Sequence, residues 1–535
     1  MTIAATTGVA TVRILVADPI ANDGVERLRA AGEVVVATGL SLEELKVRIA
    51  DVDALVVRSE TKVTAEVFEA APRLRVVGRA GVGVDNIDLE AATRHGVLVL
   101  NAPTGNTIAA AEHTIGMMLA MARNISRADA SMHAGRWDRK AFMGTELREK
   151  TLGLLGLGKI GFEVARIASQ GLKMRVIADD PLVTAERAEQ AGAELVDFET
   201  LLAQSDFLTV HVPLNDKTRG VIGAAELARM KKGARLINVA RGGIIDEQAL
   251  ADAVREGHIG GAAIDVFTKE PILPENPLLS VPELVLTPHL GASTTEAQVN
   301  VATDVADQIV QYLGGVGPRY AVNLPSIQPE EMARLQPYLM LAEKMGSLAA
   351  QLAGEKVSRV VCSYAGELSK IEPSPLTAEV LRGLFSHFTD TRVNAINAKL
   401  VAKDHGVAVE ERTTTRDLDH ADALLVEVIG GTRLTLVGTQ FEGQPRITRI
   451  DDFRVDMDPT GLFLVVQHND RPGVVAKVSG LLASNDINIA GIELGRDRPR
   501  GRAVMLIQVD DPVGPELQLA LQAVADLESL RVVTL

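Results

Sequence analysis

The first three hundred residues alternate short apolar runs with segments of helical spacing. Amphipathic stretches such as 23–31 and 42–49 separate the apolar runs, and this alternation is typical of a parallel α/β sheet. The apolar runs predict buried strands at Val12–Val16, Val34–Ala37, Ala54–Val57, Leu74–Gly78 and Val97–Leu100. A long apolar helix is expected near 106–121, a second alternating series over 151–286, and a return helix over 290–312. We therefore expect an α/β protein with two Rossmann-like, doubly wound units forming one core.

The pattern changes beyond the return helix. Glycines and prolines in 314–330 indicate a linker, followed by a helix over 331–354 and a mixed α+β region to about 456. Residues 462–535 predict a ferredoxin-like βαββαβ order, with elements at 462–467, 474–483, 489–494, 503–509, 515–527 and 530–535. The domains expected are 1–108 with 290–315, then 109–289, 325–456 and 462–535.

The composition and charge of the chain disfavour several classes of binding partner. The 535 residues include 70 acidic and 55 basic side chains, a net charge of −15, which disfavours binding to nucleic acid. The single cysteine, Cys362, excludes an intrachain disulfide and a multi-cysteine metal site, and no metal is expected. The N-terminal residues 1–7 lack the basic and apolar regions of a signal peptide, and no apolar run is long enough to span a membrane. We expect a cytoplasmic protein without a membrane partner.

A glycine-rich turn opens the second series. Residues 151–161 read TLGLLGLGKIG, so an apolar strand leads directly into Gly156, Gly158 and Gly161. This spacing permits a tight turn, close approach of a pyrophosphate to the backbone, and helix–strand packing. Asp180 follows the next apolar strand, where a carboxylate binds ribose hydroxyls and favours NAD over NADP. Asp179 is the alternative carboxylate.

A second glycine cluster at 78–83 also follows an apolar strand, but it has the wrong spacing. The residues after it, 84–88, are turn-like rather than helical. We interpret this segment as a loop near the cleft.

Three later strands end in polar side chains, namely Arg241, Glu270 and His289. Because carboxyl ends of strands line the crevice of an open α/β sheet, these residues are candidates for one site. A histidine can act as a base, a carboxylate can stabilise its protonated form, and an arginine can bind a substrate carboxylate. Taken singly, a histidine after proline can also be a packing residue, and a Glu-Pro pair a simple turn.

Six motifs together carry a family resemblance: RAGVGVDN (79–86), GNTIAAAEHT (105–114), GLGKIG (156–161), NVARGGIIDE (238–247), AIDVFTKEP (263–271) and TPHLGAST (287–294). With them the chain resembles the D-isomer-specific 2-hydroxyacid dehydrogenases, and among these the long forms that act on 3-phosphoglycerate. The resemblance implies a catalytic set of Arg241, Glu270 and His289. It also implies NAD contacts, which would involve Lys159, Ile160, Val212, Val239, Ala240, Arg241, Asp265, His289 and Ala292, with Asp265 near the nicotinamide.

The same resemblance assigns substrate binding to Arg58, Ser59 and Asn106, together with Arg241 and His289. Arg58 follows the predicted strand 54–57 and so is expected at the carboxyl edge of its sheet. Arg139 and Lys140 would reach the substrate phosphate in a neighbouring subunit, which implies at least a homodimer and suggests a tetramer. The implied reaction is NAD-dependent oxidation of 3-phospho-D-glycerate to 3-phosphohydroxypyruvate, the first step of L-serine biosynthesis.

Three alternatives remain open at this point: a glyoxylate or hydroxypyruvate reductase, an NAD-sensing interaction protein, and a chain whose main function resides in its C-terminal region. Residues 462–535 resemble an ACT domain, in which His468, Asp470 and Asn488 would bind L-serine as a feedback effector. A dimerisation module without a ligand is the other interpretation of this region. The region 325–456 resembles the additional domain of the long forms, where anions are expected to act.

Overall fold

The computed structural model describes residues 11–324, 329–354, 356–370, 372–389, 392–414 and 420–535. The predicted N-terminal segment 1–7 and residues 325–328 of the predicted linker lie outside these ranges. The described residues form four sheets, two parallel, one mixed and one antiparallel. This confirms the expected α/β class with two Rossmann-like units, a mixed α+β region and a ferredoxin-like unit.

The first unit is a five-stranded parallel sheet of order β2-β1-β3-β4-β5. Its central strands are buried on both faces, which explains their continuous apolar sequence. Its elements are β1 (Arg13–Val16), α1 (Asn22–Leu28), β2 (Glu33–Val36), α2 (Leu42–Ile49), β3 (Ala54–Val57), α3 (Ala65–Glu69), β4 (Val76–Arg79), α4 (Leu89–Arg94) and β5 (Leu98–Asn101).

The second unit is a seven-stranded parallel sheet of order β12-β11-β10-β9-β6-β7-β8, whose chain order reverses between β6 and β9. Its elements are α5 (Thr107–Ala122), α6 (Ile125–His133), β6 (Thr151–Leu155), α7 (Lys159–Arg166), β7 (Arg175–Asp179), α8 (Ala185–Gln190), β8 (Ala193–Leu195), α9 (Phe198–Gln204), β9 (Phe207–Val210), α10 (Ala224–Arg229), β10 (Arg235–Asn238), α11 (Glu247–Arg255), β11 (Gly261–Ile264) and β12 (Val285–Leu286).

Helix α12 (Thr295–Leu313) returns to the first unit, where Val305 and Ile309 join the core beneath β4 and β5. The expected start at residue 290 is wrong, because the hydroxyl of Thr294 accepts the backbone N–H of Ala297 and so caps the helix there. Residues 290–294 instead form a loop, and part of it lines the cleft between the two units.

The third unit packs helices on a six-stranded mixed sheet. Its elements are α13 (Pro329–Ala353), β13 (Val357–Ala365), α14 (Ser374–Phe385), α15 (Ala398–Asp404), β14 (Ala408–Thr413), β15 (Ala423–Gly430), β16 (Arg433–Phe441), β17 (Gln444–Ile450) and β18 (Phe453–Met457). It touches the first unit where Asn394 donates to the carbonyl of Gly96, at 2.7 Å.

The last unit is an antiparallel sheet of order β20-β21-β19-β22. Its elements are β19 (Leu462–Asn469), α16 (Val474–Ser484), β20 (Ile489–Arg496), β21 (Arg502–Val509), α17 (Pro515–Gln522) and β22 (Leu527–Thr534). The predicted helix end at 527 and strand start at 530 are wrong. Asp526 turns the chain with a φ of 77°, and Leu527 already pairs with His468, although the apolar spacing continues past this turn.

Candidate active site

The glycine turn lies between β6 and α7, at the point where the strand order of the second sheet reverses. Gly156 has a φ of 96°, and a Cβ there would lie 2.9 Å from Cγ1 of Val212. A Cβ on Gly161 would lie 2.4 Å from the carbonyl oxygen of Gly156, whereas a Cβ on Gly158 would meet nothing within 4 Å. The backbone therefore requires glycine at 156 and 161, and it leaves open space at 158.

Asp180 lies beside this turn. Its Oδ2 accepts the backbone N–H of Leu157 at 2.8 Å, and its Oδ1 accepts that of Leu182. Asp179 is the last residue of β7, and burial together with the neighbouring carboxylates of Asp180 and Asp197 raises its pKa. This geometry supports Asp180 as the ribose acceptor. An open glycine turn, an uncapped helix N-terminus and an adjacent carboxylate fit the adenosine and pyrophosphate part of NAD.

The other residues assigned to NAD also lie at the carboxyl edge of the second sheet. Lys159 and Ile160 begin α7, and Nζ of Lys159 lies 5.5 Å from the centre of the Tyr320 ring. Val212 follows β9, Val239 and Ala240 follow β10, and Ala292 lies on the cavity wall.

His289 and Glu270 form a hydrogen-bonded pair. Nδ1 of His289 donates to Oε2 of Glu270 at 2.7 Å, while Oε1 of Glu270 accepts the backbone N–H of Phe267. Burial raises the pKa of Glu270, but the two hydrogen bonds outweigh burial and leave it below its usual range. An ionised Glu270 therefore orients the imidazole and leaves its Nε2 available to a ligand.

Asp265 fastens the loop that carries His289. Its carboxylate is fully buried and accepts four hydrogen bonds, from the Thr287 hydroxyl (2.5 Å), the Leu290 N–H (2.8 Å), the Gly291 N–H (3.0 Å) and Nε2 of His113 (3.2 Å). Burial raises its pKa, yet these donors lower it overall. His289 itself has a φ of 57°, and its backbone N–H bonds to the Asp265 carbonyl, so this strained conformation is held from the buried side.

Arg241 extends from the second unit toward the first. The turn before it is held by Asn238, whose side chain bonds to the N–H of Ala240 and to the carbonyl of Arg241. Nε of Arg241 donates to Oδ2 of Asp85 at 3.1 Å. Asp85 lies in the loop predicted from the second glycine cluster, which lines the cleft as expected.

A cavity of about 1040 Å³ separates the two units. Its walls include Arg58, Ser59, Arg79 and Asp85 from the first unit, and Glu270, Thr287, His289 and Ala292 from the second. Arg58 and Ser59 belong to a loop that Asp18 fastens. Asp18 is buried and accepts the N–H of Arg58 at 2.6 Å and both the N–H and the hydroxyl of Thr61.

Sequence reasoning missed Asp18 and Arg79. The available signal was their position, since Asp18 comes just after the first buried strand and Arg79 ends the fourth. Each unit thus uses one buried aspartate, Asp18 or Asp265, to hold a cavity loop by its backbone N–H groups.

Four predicted substrate residues are not part of the cavity wall, namely Arg241, Asn106, Arg139 and Lys140. Arg241 instead bonds to Asp85, which does line the cavity. Asn106 precedes α5, and its buried Oδ1 accepts no hydrogen bond from the residues that the structure describes. Arg139 and Lys140 are exposed in a 3₁₀ turn, Arg139–Phe142. The cations expected to bind phosphate therefore lie away from the cleft of their own chain.

The predicted effector residues are divided between two ends of the last sheet. Asp470 follows β19 and accepts hydrogen bonds from the N–H of Arg500 and from Arg496, which lower its pKa, the Arg500 bond most. His468 is buried in β19, and its Nδ1 bonds to the Asn469 carbonyl.

Asn488 precedes β20 and donates to Asp510 at 2.5 Å. Leu462 and Ile489 both pair with Val509, whereas Asn469 pairs with Arg502, so about 23 Å of strand separates these two pairs. Asn488 and Asp470 lie one residue beyond them, at opposite ends. One chain therefore does not bring Asp470 and Asn488 onto the same small ligand.

Three known families match consecutive parts of the chain. Residues 115–291 match the NAD binding domain of the D-isomer specific 2-hydroxyacid dehydrogenases, and residues 334–451 match the D-3-phosphoglycerate dehydrogenase intervening domain. Residues 463–526 match the ACT domain. Within the described part of the chain, no helix has the length and apolar character needed to cross a bilayer.

Relatives of similar length extend this match. The chain is 47% identical to D-3-phosphoglycerate dehydrogenase from Archaeoglobus fulgidus, over 94% of this chain and 96% of the relative. It is 41% identical to the Bacillus subtilis enzyme of the same name, over 98% of this chain and 99% of the relative. A solved glyoxylate reductase from Paecilomyes thermophila is similar to 60% of this chain and 99% of its own, with 30% identity and a TM-score of 0.54.

The fold and the site define an NAD-dependent oxidoreductase of the D-isomer-specific 2-hydroxyacid dehydrogenase class. Its full-length similarity is more specific, because it includes the intervening and ACT domains. The chain belongs to the D-3-phosphoglycerate dehydrogenase family.

Proposed function

We propose that the chain oxidises 3-phospho-D-glycerate to 3-phosphohydroxypyruvate with NAD, as the first step of L-serine biosynthesis. The observation that carries this proposal is the cavity itself, where the His289–Glu270 pair lies in one wall and Arg58 and Arg79 lie in the other. A substrate with a carboxylate and a phosphate needs several cations, and a protein of net charge −15 supplies them locally.

The chain's own residues account for the proton and for substrate binding. Arg241 binds the substrate carboxylate and polarises the oxygen on C2. Nε2 of His289 removes the proton of the C2 hydroxyl, while Glu270 stabilises the imidazolium through Nδ1. NAD, when bound, accepts the hydride from C2. Closure of the two units around the cavity would exclude water from the reacting atoms.

Initial rates of NADH formation test this assignment. Saturating 3-phosphoglycerate should support turnover, whereas lactate, glycerate and 2-hydroxyglutarate should be poor substrates because they lack the phosphate. Reduction of glyoxylate and hydroxypyruvate should be measured in parallel. Preference for either of these over 3-phosphohydroxypyruvate would assign the chain to the reductases instead.

We propose a homo-oligomer, with a tetramer expected, in which Arg139 and Lys140 contribute to the partner's cleft. Apolar side chains are exposed in the same stretch of chain as this basic pair, at Ile125, Met132, Trp137 and Met143. Such a group favours contact with another protein surface. Light scattering coupled to size exclusion should give the mass of a tetramer, or at least of a dimer, and Trp137→Asp should lower it. A monomer at micromolar concentration would contradict the proposal.

We further propose that L-serine inhibits the enzyme through paired ACT domains. Asp470 of one domain and Asn488 of a second copy can meet on one amino acid, whereas one chain holds them apart. Ile492 and Leu494 are exposed on β20, the outer strand of its sheet. The end of β20 at Gly495 packs against Arg454 of β18, so the start of the strand, next to Asn488, is the part that supports pairing with a second domain. Titration with millimolar L-serine should lower turnover and raise the melting temperature. If L-serine produces neither effect, the ACT domain is a dimerisation module without a ligand.

A further inference from the structure

The arginine expected to hold the substrate carboxylate already binds a carboxylate of its own chain. Nε of Arg241 donates to Oδ2 of Asp85 at 3.1 Å, and both side chains are partly open to solvent. Arg241 belongs to the second unit and Asp85 to the first, so the ion pair crosses the cleft. Asp85 also lines the cavity.

A second arginine lies beside this pair. Arg79 lines the cavity, and its Nε is buried without a hydrogen-bond partner among the described residues. Its guanidinium lies against the backbone of Gly81, where a Cβ would clash with it. Burial, and then the charge of Arg241, lower the pKa of Arg79 to about 10, while Asp85 acts in the opposite direction. Asp85 therefore supplies negative charge to two cations at once.

We propose that Asp85 occupies the place of the substrate carboxylate, and that Arg79 is a further binding residue for the same anion. A ligand that carries a carboxylate can replace Asp85 on Arg241 with a charge-assisted hydrogen bond of the same kind. A neutral ligand would leave Arg241 without that bond. Asp85 thus contributes to selectivity for anionic substrates. The inference rests on the proposed function only for the identity of the anion.

The expected energetic effect is modest. Exposed ion pairs contribute little, so release of Asp85 weakens anion binding by no more than about fivefold. Loss of Arg79 should weaken anion binding more, because a hydrogen bond from a charged donor in a confined site is worth at least about tenfold in affinity.

Titration calorimetry with 2-phosphoglycolate tests both residues. This probe carries a carboxylate and a phosphate but no oxidisable hydroxyl, so its binding needs no turnover. With NAD present, Asp85→Asn should bind it about two- to fivefold more tightly than the parent protein. Glu60→Gln is the matched control. Glu60 lines the same cavity but has no ion pair within the described ranges, so this variant should change the affinity by less than about 1.5-fold.

Arg79→Gln should bind 2-phosphoglycolate at least about tenfold more weakly. If this variant melts below the parent protein, Arg79→Lys keeps the charge and serves in its place, with a smaller loss. The proposal is overturned if Asp85→Asn binds no more tightly, if Glu60→Gln tightens equally, or if neither the parent protein nor Asp85→Asn binds the probe. A protein that behaves as expected here yet fails to oxidise 3-phosphoglycerate would contradict only the proposed function.

Discussion

The cleft and the ACT domain differ in where their candidate residues lie relative to the ends of the strands. Arg241, Glu270 and His289 each follow the end of a parallel strand, and two of them already form a hydrogen bond. In the ACT domain, Asp470 follows a strand but Asn488 precedes one. The carboxyl ends of parallel strands share one edge of a sheet. Strands β19 and β20 run in the same direction on either side of β21, so the end of β19 and the start of β20 lie at opposite edges.

In the proposed function, one chain therefore supplies nearly all the residues of the cleft, whereas the effector site needs residues from two chains. In this proposal, the cleft requires a partner for the phosphate cations, Arg139 and Lys140. The proposed effector site takes His468 and Asp470 from one chain and Asn488 from the partner, so it requires a partner for one of its three ligands. Changes in the cleft should therefore alter catalysis in each chain, and changes in the ACT domain should alter only the response to an effector.

The largest effect is expected at the catalytic base. His289→Ala should lower kcat by about 10²–10⁴-fold, the range typical for loss of a general base, while NAD binding stays within about twofold. Stopped or steady-state assays of NADH formation measure the first quantity, and fluorescence titration with NADH the second. The exposed His420→Ala is a suitable control and should be neutral. Turnover within a few-fold of the parent protein would remove His289 from this role.

The choice between NAD and NADP tests which aspartate binds the ribose of the cofactor. Asp180→Arg should weaken NAD by about tenfold or more and improve NADP, because it replaces a ribose acceptor with a phosphate-binding cation. The ratio of kcat/KM for the two cofactors measures the change. Asp179→Arg is the matched control. If Asp179→Arg reverses the preference and Asp180→Arg does not, the ribose acceptor is Asp179.

The ACT domain should respond in regulation alone. Asn488→Ala should raise the serine concentration for half-inhibition by about five- to tenfold, since it removes hydrogen bonds to the ligand, with uninhibited kcat unchanged. Asn485→Ala, in the turn after α16, controls for a general effect on the domain. Equal inhibition of Asn488→Ala and the parent enzyme would show that Asn488 is not part of the site.

The sequence predicted most of the fold because its strands are short, apolar and bounded by turn residues. The glycine turn at 156–161 was equally predictable, since a Cβ would clash at Gly156 and Gly161 and Gly158 borders open space. Asp18, Arg79 and Asp85 were not assigned roles, because a single acid or arginine after a strand has no local signature. Their roles depend on which loops meet across the cleft. The division of the effector residues followed from strand direction, which the predicted element order already contained.

The smallest effect concerns stability at the catalytic pair. The hydrogen bonds from His289 and Phe267 leave the pKa of Glu270 lowered in the folded protein, so its ionised form stabilises the fold. This contribution is fully present above the unfolded pKa of about 4.3 and is lost as the pH falls through the lower folded value. Because Glu270 is partly exposed, Glu270→Gln should lower the melting temperature at pH 7 by no more than about 2–4 °C. The two curves of melting temperature against pH should converge below about pH 4. Glu275 is exposed in the following loop, and the melting temperature of Glu275→Gln should follow that of the parent protein at every pH. A difference for Glu270→Gln that grows on acidification would mean that burial, rather than its two hydrogen bonds, controls this carboxyl group.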